Sequence, residues 1–502
     1  MLDTQRSDAF PAAPAHGSPT VISAAQRMPR QFGQRLMSNR LLSGSALFFV
    51  STTIVNGGNY LFNLILGRWL GPAIFADVST VITLFLLLTF VTAGFQQTAA
   101  KFAATFSADQ GSADPRPRLR ALRIWLNRRS WAVGGVVALV VGGGAPFWQS
   151  FFHTSSPWIF VIFACSLPFY FVQGIDRGLL QGQMQFATLA ASYQAEMWTR
   201  LLVGLLLVAA GWAAAGAVAG LALSIVVTWF VADYSLRALS HLRRSGGDAP
   251  HSHALTLAER QAIWHFALPV LMVETSLILI NNSDVLIVKR FFDSVTAGHY
   301  AALALIGRIV FFGTWSVVIT MFPLVAQKAQ RGEAHRSLLW LGLGLVLGVS
   351  VLIIGATVFL PELLVQILFG ANYLVIAPLL WLYATATALF ALANVIINYH
   401  LALGNRTGSL LALVAGSAQV LVLVLYHATL YQVVMLQIVL MAGLLFALLS
   451  WDLIILHRAQ KSPTEIHAAR EAHGGGSKLM EVSSEGKCND SAVVERETPS
   501  RK

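Results

Sequence analysis

Long apolar stretches separated by short loops constrain the fold of this 502-residue chain more than any other feature of the sequence. Twelve such stretches run from about Leu41 to His457. Each is long enough to cross the roughly 30 Å hydrocarbon core of a bilayer as a helix. Helices are expected because a lipid-exposed backbone must satisfy its own hydrogen bonds, and the alternating segments of a transmembrane β-barrel do not occur. The sequence therefore predicts an all-α, polytopic membrane protein.

The predicted spans fall into two groups of six, separated by the largest basic loop. Because six is even, both groups enter the bilayer from the same side, as parallel repeats do. At an offset of 222 residues, Asn59 aligns with Asn281. Arg68 aligns with Arg290 at the same offset, so we predict two pseudo-symmetric six-helix lobes around a central cavity. The spans are expected near 43–66, 74–99, 130–150, 157–180, 187–212, 214–236, 263–288, 296–322, 337–359, 373–401, 409–426 and 432–456.

The Lys and Arg residues of the loops fall almost entirely on alternate sides of the spans. Loops 100–129, 237–262 and 327–336 are rich in them, which by the positive-inside rule places these loops and both termini in the cytoplasm. The net charge of +11 therefore does not require a nucleic-acid partner, and we expect none. The expected division is a basic N-terminal tail (1–40), a first lobe (41–236), a cytoplasmic linker (237–262), a second lobe (263–456) and a disordered cytoplasmic tail (457–502).

The remaining composition points away from metal and cofactor chemistry. The two cysteines, Cys165 and Cys488, give no metal-ligand spacing and no convincing disulfide pair. A nucleotide-binding motif is also lacking, so ATP is not expected to drive the protein directly. We therefore predict no cofactor and no metal site.

Polar residues inside the spans are few and costly there, so their positions indicate where a ligand pathway lies. They recur at helical spacing on one face of span 1 and along one side of span 7, which occupy equivalent places in the two halves. Two such faces predict a shared hydrophilic cleft, whereas hydrogen bonding that holds the bundle together is the alternative. The residues are Asn56, Asn59 and Asn63 on span 1, and Glu274, Asn281 and Asp284 on span 7.

Two arginines lie within spans and are candidate ligand contacts. Arg308 is about twelve residues into span 8, too deep for its side chain to reach water easily. We interpret it as a site for an anionic ligand; the alternative is an ion pair with Asp284 or Glu274. Arg200, in span 5, has the same two interpretations, because Glu196 lies four residues earlier and can pair with it.

Three further basic residues, Arg68, Lys289 and Arg290, are placed at the outer mouth, as interfacial anchors or as ligand contacts. Spans 9 to 12 carry almost no charge and are predicted to be a lipid-facing scaffold. The candidate substrate-binding residues are Arg308, Asn56, Asn59, Asn63, Asn281, Arg200, Arg68 and Arg290. The candidates for binding a proton or sodium ion are Glu274 and Asp284, unless they serve only as partners of Arg308 or in helix packing.

Two segments resemble a known family. NYLFNLILGRWLGPAIFADVSTV (59–81) contains an Arg-x-Leu-Gly-Pro turn and resembles the opening of polysaccharide and O-antigen flippases in the multidrug/oligosaccharidyl-lipid/polysaccharide exporter (MOP) superfamily. NNSDVLIVKRFFDSVTAGHYAALALIGRI (281–309) resembles the seventh and eighth spans of that family. Ala76 stands where the family usually has Gly. The resemblance covers roughly residues 40–456 and implies that spans 1, 2, 7 and 8 line a V-shaped cavity between two lobes.

The resemblance implies a transporter in the bacterial inner membrane and not an enzyme. Its substrate would be an oligosaccharide on a polyprenyl diphosphate, moved from the cytoplasmic to the outer leaflet by alternating access for exopolysaccharide, capsule or O-antigen assembly. Partners would be that lipid-linked oligosaccharide, the bilayer, and a polysaccharide polymerase or export machinery. The alternatives are a multidrug exporter of cations, a polysaccharide polymerase or ligase, and a passive assembly scaffold. The polymerase is disfavoured because the longest predicted outer loop has only about 13 residues.

Overall fold

The structure is a computed structural model, and it describes residues 22–108, 116–242, 255–331, 333–405 and 407–474. Helices account for all regular structure in these ranges, which confirms the all-α prediction. A π-helical turn, Val208–Trp212, and a 3₁₀ segment, Ala371–Leu379, interrupt the α-helices. The α-helices are α1 Ile22–Ala108, α2 Arg116–Gly143, α3 Ala145–Phe152, α4 Trp158–Gly182, α5 Phe186–Leu207, α6 Ala213–Leu242, α7 Leu257–Phe291, α8 Ser294–Gly307, α9 Ile309–Gln330, α10 Arg336–Phe359, α11 Pro361–Leu368, α12 Leu380–Ala402, α13 Thr407–Leu425 and α14 Leu430–Gly474.

The first helix turns sharply at Gly71. Its backbone there has φ 71° and ψ 171°, a conformation that glycine adopts readily and other residues rarely do. The break lies inside the Arg-x-Leu-Gly-Pro turn, where the sequence predicts the loop between spans 1 and 2. We call residues 22–70 α1a and residues 72–108 α1b.

Within the described residues, nine helical segments are long and apolar enough to cross a membrane, or ten if α2 and α3, bent by 62°, form one span. Two of the nine, Ala46–Ala108 and Phe186–Arg237, have 63 and 52 residues. At 1.5 Å per residue each is more than twice the hydrocarbon thickness, and each is interrupted, at Gly71 and at Gly211. Taking each as two crossings gives twelve, but the count of twelve stays a prediction.

Several helices run beyond the ends that hydropathy predicts. The loop expected over 100–129 is largely helical, since α1 ends at Ala108 and α2 begins at Arg116. Hydropathy detects the part of a helix that fits hydrocarbon, whereas Arg and Leu continue a helix equally well in water. For the same reason α14 continues to Gly474, into the tail expected to be disordered. Residues 1–21, 243–254 and 475–502 lie outside the described residues, and the domain division stays a prediction.

The described residues up to Leu448 belong to one compact unit, and those from Leu449 onward belong to another. In the first unit, α5 packs on α6, and α4 packs on α1, α2 and α6. Later in the chain α7 packs on α13, and α12 packs on α9 and α10. The long helix α1 also packs on α7 and α8, so it joins the two halves of the chain.

Large apolar side chains are exposed on the outside of the bundle. Phe359 is 82% exposed, Leu139 and Leu352 are each 75% exposed, and Phe446 is 74% exposed. Aqueous surfaces rarely carry so many exposed large apolar groups, whereas lipid solvates them. Together with the span lengths, this supports a multi-pass membrane protein.

Candidate functional site

Arg308 lies at the junction of α8 and α9, and its side chain is 13% exposed. Its Nη2 atom is 3.2 Å from Oδ1 of Asp284, and its Nη1 atom donates to Oδ1 of Asn282 at 3.4 Å. The Nε atom is buried and has no hydrogen-bond partner among the described residues. The ion pair with Asp284 is therefore present, and it leaves part of the guanidinium free to bind another group.

Asp284 accepts hydrogen bonds from other residues besides Arg308. The hydroxyls of Tyr300 and Tyr383 donate to its Oδ2 atom at 2.9 and 2.7 Å. Gln437 in turn donates to the Tyr300 hydroxyl at 2.9 Å. The carboxylate is completely buried and its two oxygens accept three donors, so it acts as a fixed anchor for Arg308.

A small cavity of about 20 Å³, which we call the Arg308 cavity, opens beside this anchor. It has room for about one water molecule. Its polar lining comes largely from α12, α13 and α14, so the prediction that the later spans are only a lipid-facing scaffold is wrong. Charge alone could not reveal this contribution, because the side chains involved are uncharged. The lining residues are Ile280, Asn281, Arg308, Tyr383, Ala386, Thr387, Phe390, Gln419, Gln437 and Met441.

A second buried arginine site lies in the first half of the chain. Arg200 donates to Oε1 of Glu196 at 2.6 Å and to Oδ1 of Asn59 at 3.1 Å. Arg177 donates to the other carboxylate oxygen of Glu196 at 2.7 Å. One carboxylate is thus shared by two guanidinium groups, and the cluster keeps a net positive charge. The predicted Arg200–Glu196 pairing is present, alongside a contact to the polar stripe of span 1.

The other asparagines of the predicted stripes make local contacts. Asn63 donates to the Asn59 carbonyl, and Asn281 donates to the Leu277 carbonyl, each at 2.8 Å. Each amide thus bonds its own helix and keeps its side-chain oxygen for another donor. Asn56 is exposed. The roles of these asparagines in binding stay a prediction.

Glu274 is the other candidate for ion coupling, and its contacts are separate from those of Asp284. It accepts a hydrogen bond from Gln97 of α1b at 2.7 Å and does not contact Arg308. This bond joins the two halves of the chain. In the described residues, no group of three His, Cys, Asp or Glu side chains could hold a metal ion.

Arg68 and Arg290 lie near the turn at Gly71, away from the Arg308 cavity lining. Arg68 of α1a donates to the Ile367 carbonyl in α11 at 3.0 Å. Arg290 of α7 lies 4.8 Å above the Phe151 ring at the end of α3. The two arginines, aligned at the 222-residue offset, thus each contact a short helix of the opposite half. We call this region the Gly71 end of the bundle.

Sequence reasoning missed the strongest contact of the Gly71 end. The amine of Lys289 is 2.7 Å from Oδ1 of Asp77, and these side chains are only 2% and 3% exposed. Asp77 also accepts from the Ser155 backbone at 2.8 Å, and Lys289 donates to the Ser294 hydroxyl at 3.2 Å. Lys289 is therefore buried in an ion pair between the halves and is not an interfacial anchor. The isolation of Asp77, with no other acid since Asp8, is the one signal in the sequence that singles it out.

The Gly71 end also packs closely without charge. The Tyr373 hydroxyl donates to the Gly67 carbonyl at 2.8 Å. A Cβ atom added at Gly298, the first glycine of α8, would overlap the carbonyl oxygen of Pro72. Backbones of the two halves can approach this closely only because the residue is glycine.

The comparisons with known proteins agree with this arrangement. A family model described as "Polysaccharide biosynthesis protein" matches residues 41–328. The chain belongs to the polysaccharide biosynthesis protein family. The resemblance to flippases of the MOP superfamily, predicted from 59–81 and 281–309, is thereby confirmed. No curated protein matches the sequence significantly.

Solved structures show the fold of this family member. It is similar to an inward-facing multidrug resistance MATE family transporter of the MOP superfamily, with TM-score 0.67 and 12% identity over 80% of this chain and 95% of that one. It is also similar to the lipid II flippase MurJ in an inward closed conformation, with TM-score 0.61 and 14% identity over 80% and 87%. An outward-facing MATE family transporter gives TM-score 0.52, 14% identity and coverage of 83% and 96%. Family and fold together support a transporter or flippase of the MOP superfamily.

Proposed function

We propose that this protein carries oligosaccharide units linked to a polyprenyl diphosphate from the cytoplasmic to the outer leaflet of a bacterial inner membrane. The units would serve exopolysaccharide, capsule or O-antigen assembly, and both termini would be cytoplasmic. A diphosphate cannot enter hydrocarbon unassisted, because an isolated ion transferred to a low dielectric costs tens of kcal/mol in the Born limit. A polar pathway with a cationic centre provides the missing solvation.

The observation that carries the proposal is Arg308 itself. Its guanidinium is anchored to Asp284 through one nitrogen, and its buried Nε has no hydrogen-bond partner in the part of the chain that the structure describes. The Arg308 cavity opens beside it. Arginine binds phosphate through two parallel hydrogen bonds. Asn281, Thr387 and Gln419 add hydrogen-bonding groups suited to sugar hydroxyls.

The size of the Arg308 cavity requires a movement. At about 20 Å³ it cannot hold a sugar, so the two halves must separate before substrate reaches Arg308. Alternating access, in which one half rocks against the other, supplies that separation.

Glu274 is the better candidate for ion coupling. Asp284 accepts hydrogen bonds from two tyrosines and an arginine, so protonating it would break a buried network. Glu274 accepts from one neutral amide, Gln97. A proton or a sodium ion at Glu274 would change the contact between the halves at small structural cost.

The test uses the protein reconstituted in liposomes with a fluorescent polyprenyl-diphosphate oligosaccharide, whose transfer between leaflets is measured. Arg308→Ala should reduce transfer to the protein-free rate, and Arg308→Lys should restore only part of it, because Lys lacks the planar fork. Arg331→Ala is the matched control, since Arg308 and Arg331 cap the two ends of α9 and Arg331 is exposed.

The double variant Arg308→Ala/Asp284→Leu separates a ligand role from a structural one. If Arg308 serves only to neutralise Asp284, removing both charges restores transfer. If Arg308 binds diphosphate, the double variant folds and stays inactive. Restored transfer in the double variant would overturn the ligand role of Arg308. Efflux of cationic drugs by the wild-type protein, without lipid transfer, would favour the multidrug exporter.

A further inference from the structure

A second cavity, of about 170 Å³, lies between α1b, α2 and α7, at the end of the bundle opposite Gly71. It is larger than an engineered apolar cavity of about 150 Å³ that stays dry and binds benzene. Apart from Thr98 and Arg129, every lining side chain is apolar or aromatic. We call it the α2–α7 pocket, and its lining residues are Val91, Gly94, Phe95, Thr98, Trp125, Leu126, Arg129, Val133, Ile263, Trp264, Ala267 and Leu271.

One edge of the α2–α7 pocket is basic. The guanidinium of Arg129 lies 3.6 Å above the Trp125 ring and donates to the Trp125 carbonyl at 3.2 Å. Arg128 and Arg260 are close enough to interact electrostatically with Arg129. Glu259, beside Arg260 in sequence, is engaged in the capping box of α7 with Thr256. The edge therefore keeps a positive charge next to an apolar cavity.

Two buried hydrogen-bond donors lie at this edge, one on Trp125 and one on Arg260. Neither Nε1 of Trp125 nor Nε of Arg260 has a hydrogen-bond acceptor among the described residues. Arg260 lies one helical turn before Trp264, which lines the pocket and packs edge-on against Trp125. Burying an unpaired donor is unfavourable, so the site is suited to an acceptor that arrives with a ligand.

We propose that the α2–α7 pocket holds the first isoprene unit of a polyprenyl phosphate, with its phosphate on Arg129 and Arg260. The inference rests on the proposed function, in which the substrate is an oligosaccharide attached to a polyprenyl chain through phosphate groups. The cavity accommodates a group of about benzene size, as a five-carbon isoprene unit is. Phe95, Trp125 and Trp264 line the pocket, and aromatic rings pack well against a planar double bond, which a saturated acyl chain lacks.

The position of the α2–α7 pocket connects this lipid to the movement of the halves. α1b and α2 belong to the first half of the chain and α7 to the second, so an occupant contacts both. Gly94 of the lining lies against Leu271, one turn from the Gln97–Glu274 hydrogen bond. A carrier bound here stabilises whichever arrangement of the halves binds it better.

The test uses the full-length protein in phosphatidylcholine nanodiscs and a polyprenyl phosphate with a diazirine in the isoprene unit next to the phosphate. After illumination, mass spectrometry should place the label within the three lining segments, 91–98, 125–133 and 263–271. Arg129→Gln should lower labelling there about tenfold, the effect of losing a charged hydrogen bond. Ala267→Trp, which fills the cavity, should abolish it.

Matched controls lie on α2. Arg120→Gln removes an exposed arginine of the same helix, and Val136→Trp adds the same bulk at an exposed position; both should label like wild type. Only variants with the wild-type elution volume and melting temperature are scored. Because the two test substitutions lie on different helices, misfolding of one variant leaves the other informative.

Label confined to other segments, or label in these segments that neither substitution reduces, overturns the pocket. Equal competition by unlabelled phosphatidylglycerol also overturns it, since any anionic lipid would then fit. Leaflet transfer by the same purified protein in liposomes separates the two proposals. Transfer without pocket labelling removes only the subsite, and loss of both removes the proposed function.

Discussion

The two ends of the bundle join the halves of the chain in different ways. At the Gly71 end, a buried ion pair, Lys289–Asp77, is surrounded by close backbone packing. At the opposite end, α1b and α7 are joined by the Gln97–Glu274 hydrogen bond, beside a cavity of about 170 Å³. Separating a buried ion pair is costly, because it leaves each charge without its partner in a low-dielectric site. The two groups of a broken hydrogen bond can instead bond to water. The halves should therefore part first at the end opposite Gly71.

The positive-inside rule predicts that the Gly71 end is the outer end. With that orientation, the ion pair and the close packing form a seal on the outer side, and the halves part first on the cytoplasmic side.

Within the seal, the internal repeat is only partly preserved. Arg68 and Arg290 make reciprocal contacts with α11 and α3. The positions aligned with Lys289 and Asp77 are instead Gly67 and His299, which bond Tyr373 and the Asn372 carbonyl. The ion pair therefore occurs on one side of the pseudo-symmetry axis, and a single pair of substitutions tests it.

The largest effect is expected from Asp77→Ala. It leaves the Lys289 amine buried without its carboxylate, which should lower the free energy of unfolding by about 3–5 kcal/mol. Thermal unfolding in detergent and the reactivity of a cysteine placed at Ser155 both report it. Arg68→Ala, which removes an exposed contact at the same end, should cost less than about 1 kcal/mol.

The double variant Asp77→Leu/Lys289→Met sharpens this result. Replacing both charges with apolar groups should recover most of the stability. If the double variant were as unstable as Asp77→Ala, the loss would come from packing and the ion pair would not be the main contact of the seal.

The next effect is steric. Gly298→Ala forces a methyl group against the Pro72 carbonyl, and overpacking of this kind costs about 1–3 kcal/mol. Gly57→Ala, in α1a with open space around it, should be neutral or slightly stabilising. Spin labels across the Gly71 end should move apart only in the first variant; equal distances in both would refute the close approach.

Local features of the molecule can be predicted from the sequence. Hydropathy predicts where the helices lie, and the residues Arg68–Pro72 predict the turn at Gly71, because both features depend on local composition. The Lys289–Asp77 pair joins residues 212 positions apart, and one sequence contains no information on such contacts. Tyr383 and Gln437 beside Arg308 were missed because uncharged residues do not stand out in an apolar span.

A smaller effect is expected at the end opposite Gly71. Gln97→Ala removes the hydrogen bond to Glu274 and should cost about 1 kcal/mol, because water can replace the amide at this partly exposed site. Distances between spin labels on Lys101 and Phe266 should nevertheless lengthen and broaden. A stability loss as large as that of Asp77→Ala would contradict the difference between the ends.

The smallest effect concerns the turn that leads into α8. Asp293 caps this helix by accepting from the backbone of Val295 and Thr296, each at 3.0 Å, and so positions Ser294 against Lys289. Asp293→Ala should lower the free energy of unfolding by about 1 kcal/mol.

The hydrogen bonds from Thr296 hold the pKa of Asp293 below its usual range. Because the folded-state pKa is the lower one, the cap stabilises fully above the unfolded value of about 3.9 and is lost as pH falls through the folded value. Unfolding of wild type and Asp293→Ala should therefore differ at pH 7 and converge in acid. A stability difference that persists in acid would show that the side chain acts through packing. A loss of stability as large as that of Asp77→Ala would make this cap, and not the ion pair, the principal support of the Gly71 end.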